Sequence, residues 1–385
     1  MEGHDATDAH PLAPGQLASH LQNDETARQV SSGASSPSGP RGIEKRPSEH
    51  SVSATLEGVE ILAHAGSWDA VARLVNTCLA SEPLPHVALK LRLYRIVALL
   101  RLRQHQVAAE ELKLLGDLDS PHHHFEHFPK LYPGKTGSIM PFSMRIMQAQ
   151  MPHYFGNTWD AIGSMQRLLK RCETESDQAQ VVSGENACGA PPNLTAARLG
   201  LANLYVTQQE YGMAADLLQA LAKTHPEDEN VVCMLGRVYL QMGNIRAAQD
   251  VYDRHECAVE DADNDAVVRS NRGLVALACG DYATGHDEFS AVLRLSPSNA
   301  IAANNKAICL LYLGRISEAI DSLEAFIHAD PKKHFDATMY ANLCSMYELQ
   351  SDHGARKKQA LTGLASEVGS DDVDLGRMRG TLASA

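Results

Sequence analysis

A chain of 385 residues, 44% hydrophobic but only 5% aromatic, has room for two or three ordinary domains or one extended array, and its make-up suits helices packed through small residues better than a sheet-rich core. A formal net charge of -13 argues against a nucleic-acid backbone as partner. The eight cysteines, at 78, 172, 188, 233, 257, 279, 309 and 344, show no metal-ligand spacing and read as free, partly buried thiols of a reducing compartment.

Residues 1–53 are rich in Ser, Gly, Pro and His and carry no hydrophobic period, which predicts a disordered segment. No apolar core follows a basic patch there, so no signal peptide is expected. The most apolar helix-like run, Val87 to Leu102, is interrupted by Lys90, Arg92, Arg95 and Arg101, which argues against a membrane span. The expected compartment is the cytosol.

From Leu56 a helical period begins. Val59, Leu62, Trp68, Val71 and Val75, and again Ile96, Leu99, Ala108 and Leu112, predict two divergent helical hairpins over 54–119. Residues 120–141 contain four prolines and two glycines yet also Phe125, Phe128, Leu131, Tyr132, Ile139 and Met140, so an ordered strap lying against the helices is expected, fixing the angle between two halves of the array. A further hairpin is predicted over 142–172, its first helix shortened or kinked by Pro152. The mixed polar stretch 173–193, with Gly184, Gly189 and Pro191-Pro192, reads as an exposed loop insertion, and 366–385 as a mobile tail.

The intervening stretch, 194–365, is periodic. Small residues recur at Ala202, Gly236, Gly273, Ala307 and Cys344, a second small set at Ala214, Ala248, Gly285 and Ala319, and a large set at Leu218, Tyr252, Phe289 and Leu323. Closing prolines stand at Pro226, Pro297 and Pro331. Steps alternating near 34 and 37 residues are the tetratricopeptide period: small residues where two helices cross closely, a large apolar one further along, and a proline that stops the second helix. One closing proline is replaced by Glu260 inside an acidic run, where the longer step predicts a longer loop. The fold class expected is all-α, a right-handed tetratricopeptide solenoid with a disordered N-terminal segment.

Sites of chemistry are sparse. The histidines at 122, 123, 124 and 127 lie between Pro121 and Pro129 on a segment too short for a rigid helix, and an exposed loop is preferred to a metal site. Gly134-Lys135-Thr136 ends like a phosphate-binding loop, but Pro129 stands where that loop needs glycine, so a turn is preferred. No catalytic constellation, cofactor or metal is expected. The candidate partner-binding residues are Asn203, Arg237, Asn304 and Asn305, polar groups on the first helices of the repeats that could pair with an extended backbone.

Three stretches carry a family resemblance: Leu131-Tyr132-Pro133-Gly134-Lys135-Thr136-Gly137-Ser138 continuing to Arg145, Asn304-Asn305-Lys306-Ala307 to Gly314, and Asn342 to Leu349 followed by Lys357 to Leu361. With them the chain resembles the trafficking protein particle (TRAPP) complex subunit 12 family over roughly 56–364. The resemblance implies a non-catalytic subunit of a vesicle-tethering complex acting in ER-to-Golgi transport and autophagy, peripheral to early secretory and Golgi membranes, with the other subunits as partners and Rab GTPases met only indirectly. It implies no catalytic residue. The alternative is a stand-alone peptide-binding adaptor such as a co-chaperone.

Overall fold

The computed structural model describes residues 48–183, 192–226, 228–335, 337–350 and 354–368. Of these, 54–59 and 71–225 form one compact unit, and 48–53, 60–70 and 226–368 form the other. Helices dominate both, and among the described residues the sole β-type pairing is one isolated bridge, His124 to Ser138.

The chain opens with α1 (Leu56–His64) and α2 (Trp68–Ala80), whose Val59, Leu62, Val71 and Val75 are fully buried. The first unit contains α3 (Pro85–Arg101), α4 (His105–Leu114), α5 (Phe142–Gln150), α6 (Thr158–Ser183), α7 (Pro192–Thr207) and α8 (Tyr211–Thr224). Pro152 acts as expected: α5 stops at Gln150 and the chain passes into a 3-10 turn, Met151–Phe155, since proline there cannot donate to the preceding turn.

One sequence expectation changes here. Residues 173–183 are not loop but the last turns of α6, because Glu173-Thr-Glu-Ser-Asp-Gln-Ala-Gln holds no glycine or proline, and Arg171 pairs with Glu175 one turn on at 2.8 Å. Only 184–191 of that proposed insertion lies outside the described residues, as do 1–47 of the N-terminal segment and 369–385 of the tail; α17 (Gly354–Val368) runs past residue 366. The strap 120–141 and both helices it joins, α4 and α5, fall within the first unit.

In the second unit the repeat is regular. Its helices are α9 (Glu229–Gln241), α10 (Ile245–Glu256), α11 (Ala266–Cys279), α12 (Tyr282–Leu295), α13 (Ala300–Tyr312), α14 (Ile316–Ala329), the single turn α15 (Pro331–His334), α16 (Ala337–Gln350) and α17. Asp228, Asn244, Asp265, Asp281 and Asn299 each stand one residue before a helix and accept a hydrogen bond from an amide of its first turn at 2.8 to 3.2 Å. The same place in each hairpin turn needs a left-handed backbone: Gly243, Gly280 and Gly314 have φ of +72, +77 and +76°, and in the first unit Gln209 takes φ +61° without being glycine.

The small residues are set by steric contact. A Cβ added at Gly236 would meet the Tyr252 ring at 2.2 Å, and one at Gly273 would meet the Phe289 ring at 2.8 Å. Ala307, Ala319 and Leu323 are fully buried with Ile320, Leu343 and Met339 in one continuous cluster. Where the closing proline is missing, α10 ends at Glu256 and an acidic loop follows. Arg272 holds it by bonds to Glu256 at 2.6 Å and Asp263 at 2.9 Å, and Arg269 spans from Asp263 at 3.2 Å to Glu288 at 3.0 Å.

Candidate partner-binding helices and the strap cleft

The buried stripes of the first helices leave a polar side whose order follows the repeat. In the second unit Asn271, Asn305 and Asn342 each lie two residues before a small position, on α11, α13 and α16. The Asn342 side-chain amide donates to Asn304 Oδ1 at 2.7 Å, bridging α16 and α13. In the same manner the Cys233 thiol on α9 points to Asn271 Oδ1 on α11 at 3.6 Å. Asn271 is buried, at 4% exposure, and its Nδ2 has no protein partner.

Of the residues expected to face a partner, Arg237 is exposed on α9, with Nε donating to the Cys233 carbonyl at 3.1 Å. Asn304 and Asn305 are half-buried on α13, and Asn304 already serves Asn342. Asn203 lies in the first unit, half-buried on α7, where its carbonyl accepts the Thr207 hydroxyl at 3.0 Å. Asn342 and Asn271 were not among the expected residues. The period that aligned the small residues places both in register with Asn305 and was sufficient to find them.

The strap is held from both ends. Phe125 N–H donates to the Gly137 carbonyl at 2.9 Å and Ile139 N–H to the His123 carbonyl at 2.7 Å, so its two limbs lie side by side. Tyr132 is buried: its hydroxyl lies 2.7 Å from His86 Nδ1 at the start of α3, and its ring meets Phe125 edge-on at 5.1 Å. Asp119, just ahead of the strap, is shared by Arg145 of α5 and Arg171 of α6, with Arg171 Nη2 3.0 Å from Oδ1. The hydrogen bonds from Arg171, then Arg145, hold the Asp119 carboxyl at about 2, below the ordinary carboxylate range. Around this clamp lies a cleft of about 480 Å³ with Met140, Phe142, Leu168 and Cys172 among its apolar lining.

Asp119 is committed to two guanidinium groups. His122 Nδ1 and His127 Nε2 approach to 3.3 Å as an exposed imidazole pair, and among the described residues no three metal-ligating side chains converge. Lys135 sits 5.7 Å above the Phe125 ring, and Gly134 and Gly137, at φ +77 and +97°, form turns around it. Burial raises the pKa of the Cys309 thiol to about 11, opposite to what a reactive thiolate needs.

Paired helices with small residues at each crossing, left-handed turns and a 34- to 37-residue step define a tetratricopeptide-repeat protein, and the tetratricopeptide-repeat family model matches residues 271–334. Among curated proteins the chain is similar to trafficking protein particle complex subunit 12 of Mus musculus, 31% identical over 349 residues, covering 83% of this chain and 44% of the mouse protein. It is likewise similar to the Homo sapiens subunit 12, 32% identical over 292 residues, covering 71% of this chain and 40% of that protein. The resemblance to the subunit 12 family therefore holds, while the chain spans less than half the length of these relatives. Among solved structures, a tetratricopeptide repeat protein from Parabacteroides merdae aligns with a TM-score of 0.44 at 14% identity, covering 77% of this chain and 98% of that one. The protein TTC0263 of Thermus thermophilus aligns with a TM-score of 0.40 at 15% identity, covering 50% and 100%. Among the described residues no helix is long and apolar enough to cross a membrane.

Proposed function

We propose that this chain is a non-catalytic scaffold subunit of a trafficking protein particle complex, a vesicle-tethering assembly of ER-to-Golgi transport and autophagy. The observation that carries this reading is the similarity to two subunit 12 proteins over 71 to 83% of the chain, which extends beyond the repeats through the strap. The fold supports it, because stacked repeats bury their own cores and leave helix faces for neighbours rather than enclosing a reaction centre. On this reading the partners are the other subunits, reached through first-helix residues such as Arg237 and Asn305, with Rab GTPases met only through the assembled complex. The site of action is the cytoplasmic face of early secretory and Golgi membranes.

Native size fractionation of a cell extract tests the reading. A complex subunit elutes with a large assembly and little free chain. Elution as free chain, or with one client, would move the function to a stand-alone peptide-binding adaptor.

A further inference from the structure

Although 47 of the 385 residues are acidic, two long stretches contain none. Residues 83–109 carry Lys90, Arg92, Arg95, Arg101 and Arg103 without an Asp or Glu, and residues 127–159 carry Lys130, Lys135 and Arg145, again without one. The fold of the first unit brings them together. Tyr132 in the second stretch bonds His86 in the first at 2.7 Å, with the two rings edge-on at 5.6 Å. Lys135 donates its amide to the Tyr132 carbonyl at 3.2 Å, and Lys90 and Lys135 both bear on His86, whose pKa is lowered first by burial and then by these two ammonium groups.

At this junction apolar side chains stand open. Leu84, two residues before His86, is 48% exposed, and Leu131, beside Tyr132, is 51% exposed. Arg95 is engaged by Glu111 and Arg145 by Asp119, whereas Lys130 and Lys135 lie at the exposed tip of the strap. The nearby acids are Glu82, ahead of Leu84 in sequence, and Glu126, whose carboxylate accepts the Gly137 N–H at 2.8 Å and lies 3.8 Å from His124. The space beside Gly134 and Gly137 is open.

We propose that the strap tip and the start of α3, with exposed Leu84 and Leu131 beside Lys130 and Lys135, form a docking surface for an anionic lipid bilayer. Lysines are point charges that need no fixed partner geometry, which suits a fluid headgroup plane, and exposed leucines beside them can enter the boundary between headgroups and acyl chains. A fork-like recognition of a carboxylate in a folded partner would call for arginines at the tip, where the exposed cations are Lys130 and Lys135. The contact is weak and sensitive to salt, and it stands apart from the assignment to a tethering complex.

Co-sedimentation of the full chain with vesicles tests it, comparing phosphatidylcholine alone with phosphatidylcholine containing phosphatidylserine. Retention on the anionic vesicles only is expected, falling about tenfold in the Lys130→Glu/Lys135→Glu variant and severalfold in Leu131→Ser, while both variants keep the wild-type melting temperature. Absence of retention, equal retention on both vesicles, or retention unchanged in the folded variants would overturn the proposal. Failure on vesicles together with salt-sensitive binding to a glutamate-leucine copolymer, lost in the double-lysine variant, would assign the surface to an acidic protein segment instead.

Discussion

The side-chain amide of Asn342 donates to Asn304 Oδ1 across 2.7 Å, tying the first helix of one repeat to the first helix of the one before it. The Cys233–Asn271 contact joins α9 to α11 in the same way at 3.6 Å. A polar rung between successive first helices is thus part of how the second unit holds its register. Replacing Asn342 with Ala should cost about 1 kcal/mol, and a double-mutant cycle with Asn304→Ala should return a coupling of about 0.5–1 kcal/mol by chemical denaturation. A coupling of zero would leave the bridge without energetic content.

Gly236 is small because Tyr252 fills its space. A methyl group there would lie 2.2 Å from the ring, so Gly236→Ala should destabilise by about 1–3 kcal/mol as the ring is driven from its place. Gly212, also helical but with nothing within 4 Å of an added Cβ, supplies the contrast: Gly212→Ala should be neutral or raise stability by up to about 1 kcal/mol. Thermal melts of the two variants should therefore move in different directions or by clearly different amounts.

Gln209 occupies, at φ +61°, the turn position that Gly243, Gly280 and Gly314 occupy in later repeats. A side chain held in the left-handed region is strained by about 1 kcal/mol, part of which glycine returns as chain entropy. Gln209→Gly should raise the unfolding midpoint modestly, and a lowered midpoint would show that the glutamine side chain contributes something its backbone does not.

Asp119 joins the strap to α5 and α6, and its carboxyl is depressed to about 2 by Arg171 and Arg145. A depressed folded-state pKa contributes stability that is complete above the unfolded value near 4 and is lost as pH falls from there through about 2. The side chain is 42% exposed, so solvent screening leaves about 1 kcal/mol. Asp119→Asn should be less stable than the wild type by that amount at pH 7, and most of the difference should be gone at about pH 2. An equal deficit at both pH values would assign the effect to packing rather than charge.

Much of the fold was legible because tight helix crossings constrain residue size. Ala307, Ala319 and Leu323 could be placed from spacing alone, and each is fully buried. Pro152 could be read as a helix terminator for the same local reason. The polar stretch after Cys172 was misread since its residues lack an apolar stripe, yet Glu, Gln and Ala continue a helix without one. The Asp119 clamp was not legible at all, because its partners lie 26 and 52 residues away and periodicity carries no information about charges meeting across elements. The Asn342–Asn304 bridge falls between these cases: the period contained it, but only the geometry shows which asparagine serves which.

The central claim is membership of a tethering complex, and the most direct measurement is affinity purification of the tagged chain from its own cells with quantification of everything retained in stoichiometric amounts. The account predicts several trafficking-complex subunits recovered together, with the recovery reduced in an Arg237→Glu/Asn305→Asp variant that still folds. Recovery of chaperones, or of one client protein, in place of those subunits would contradict it.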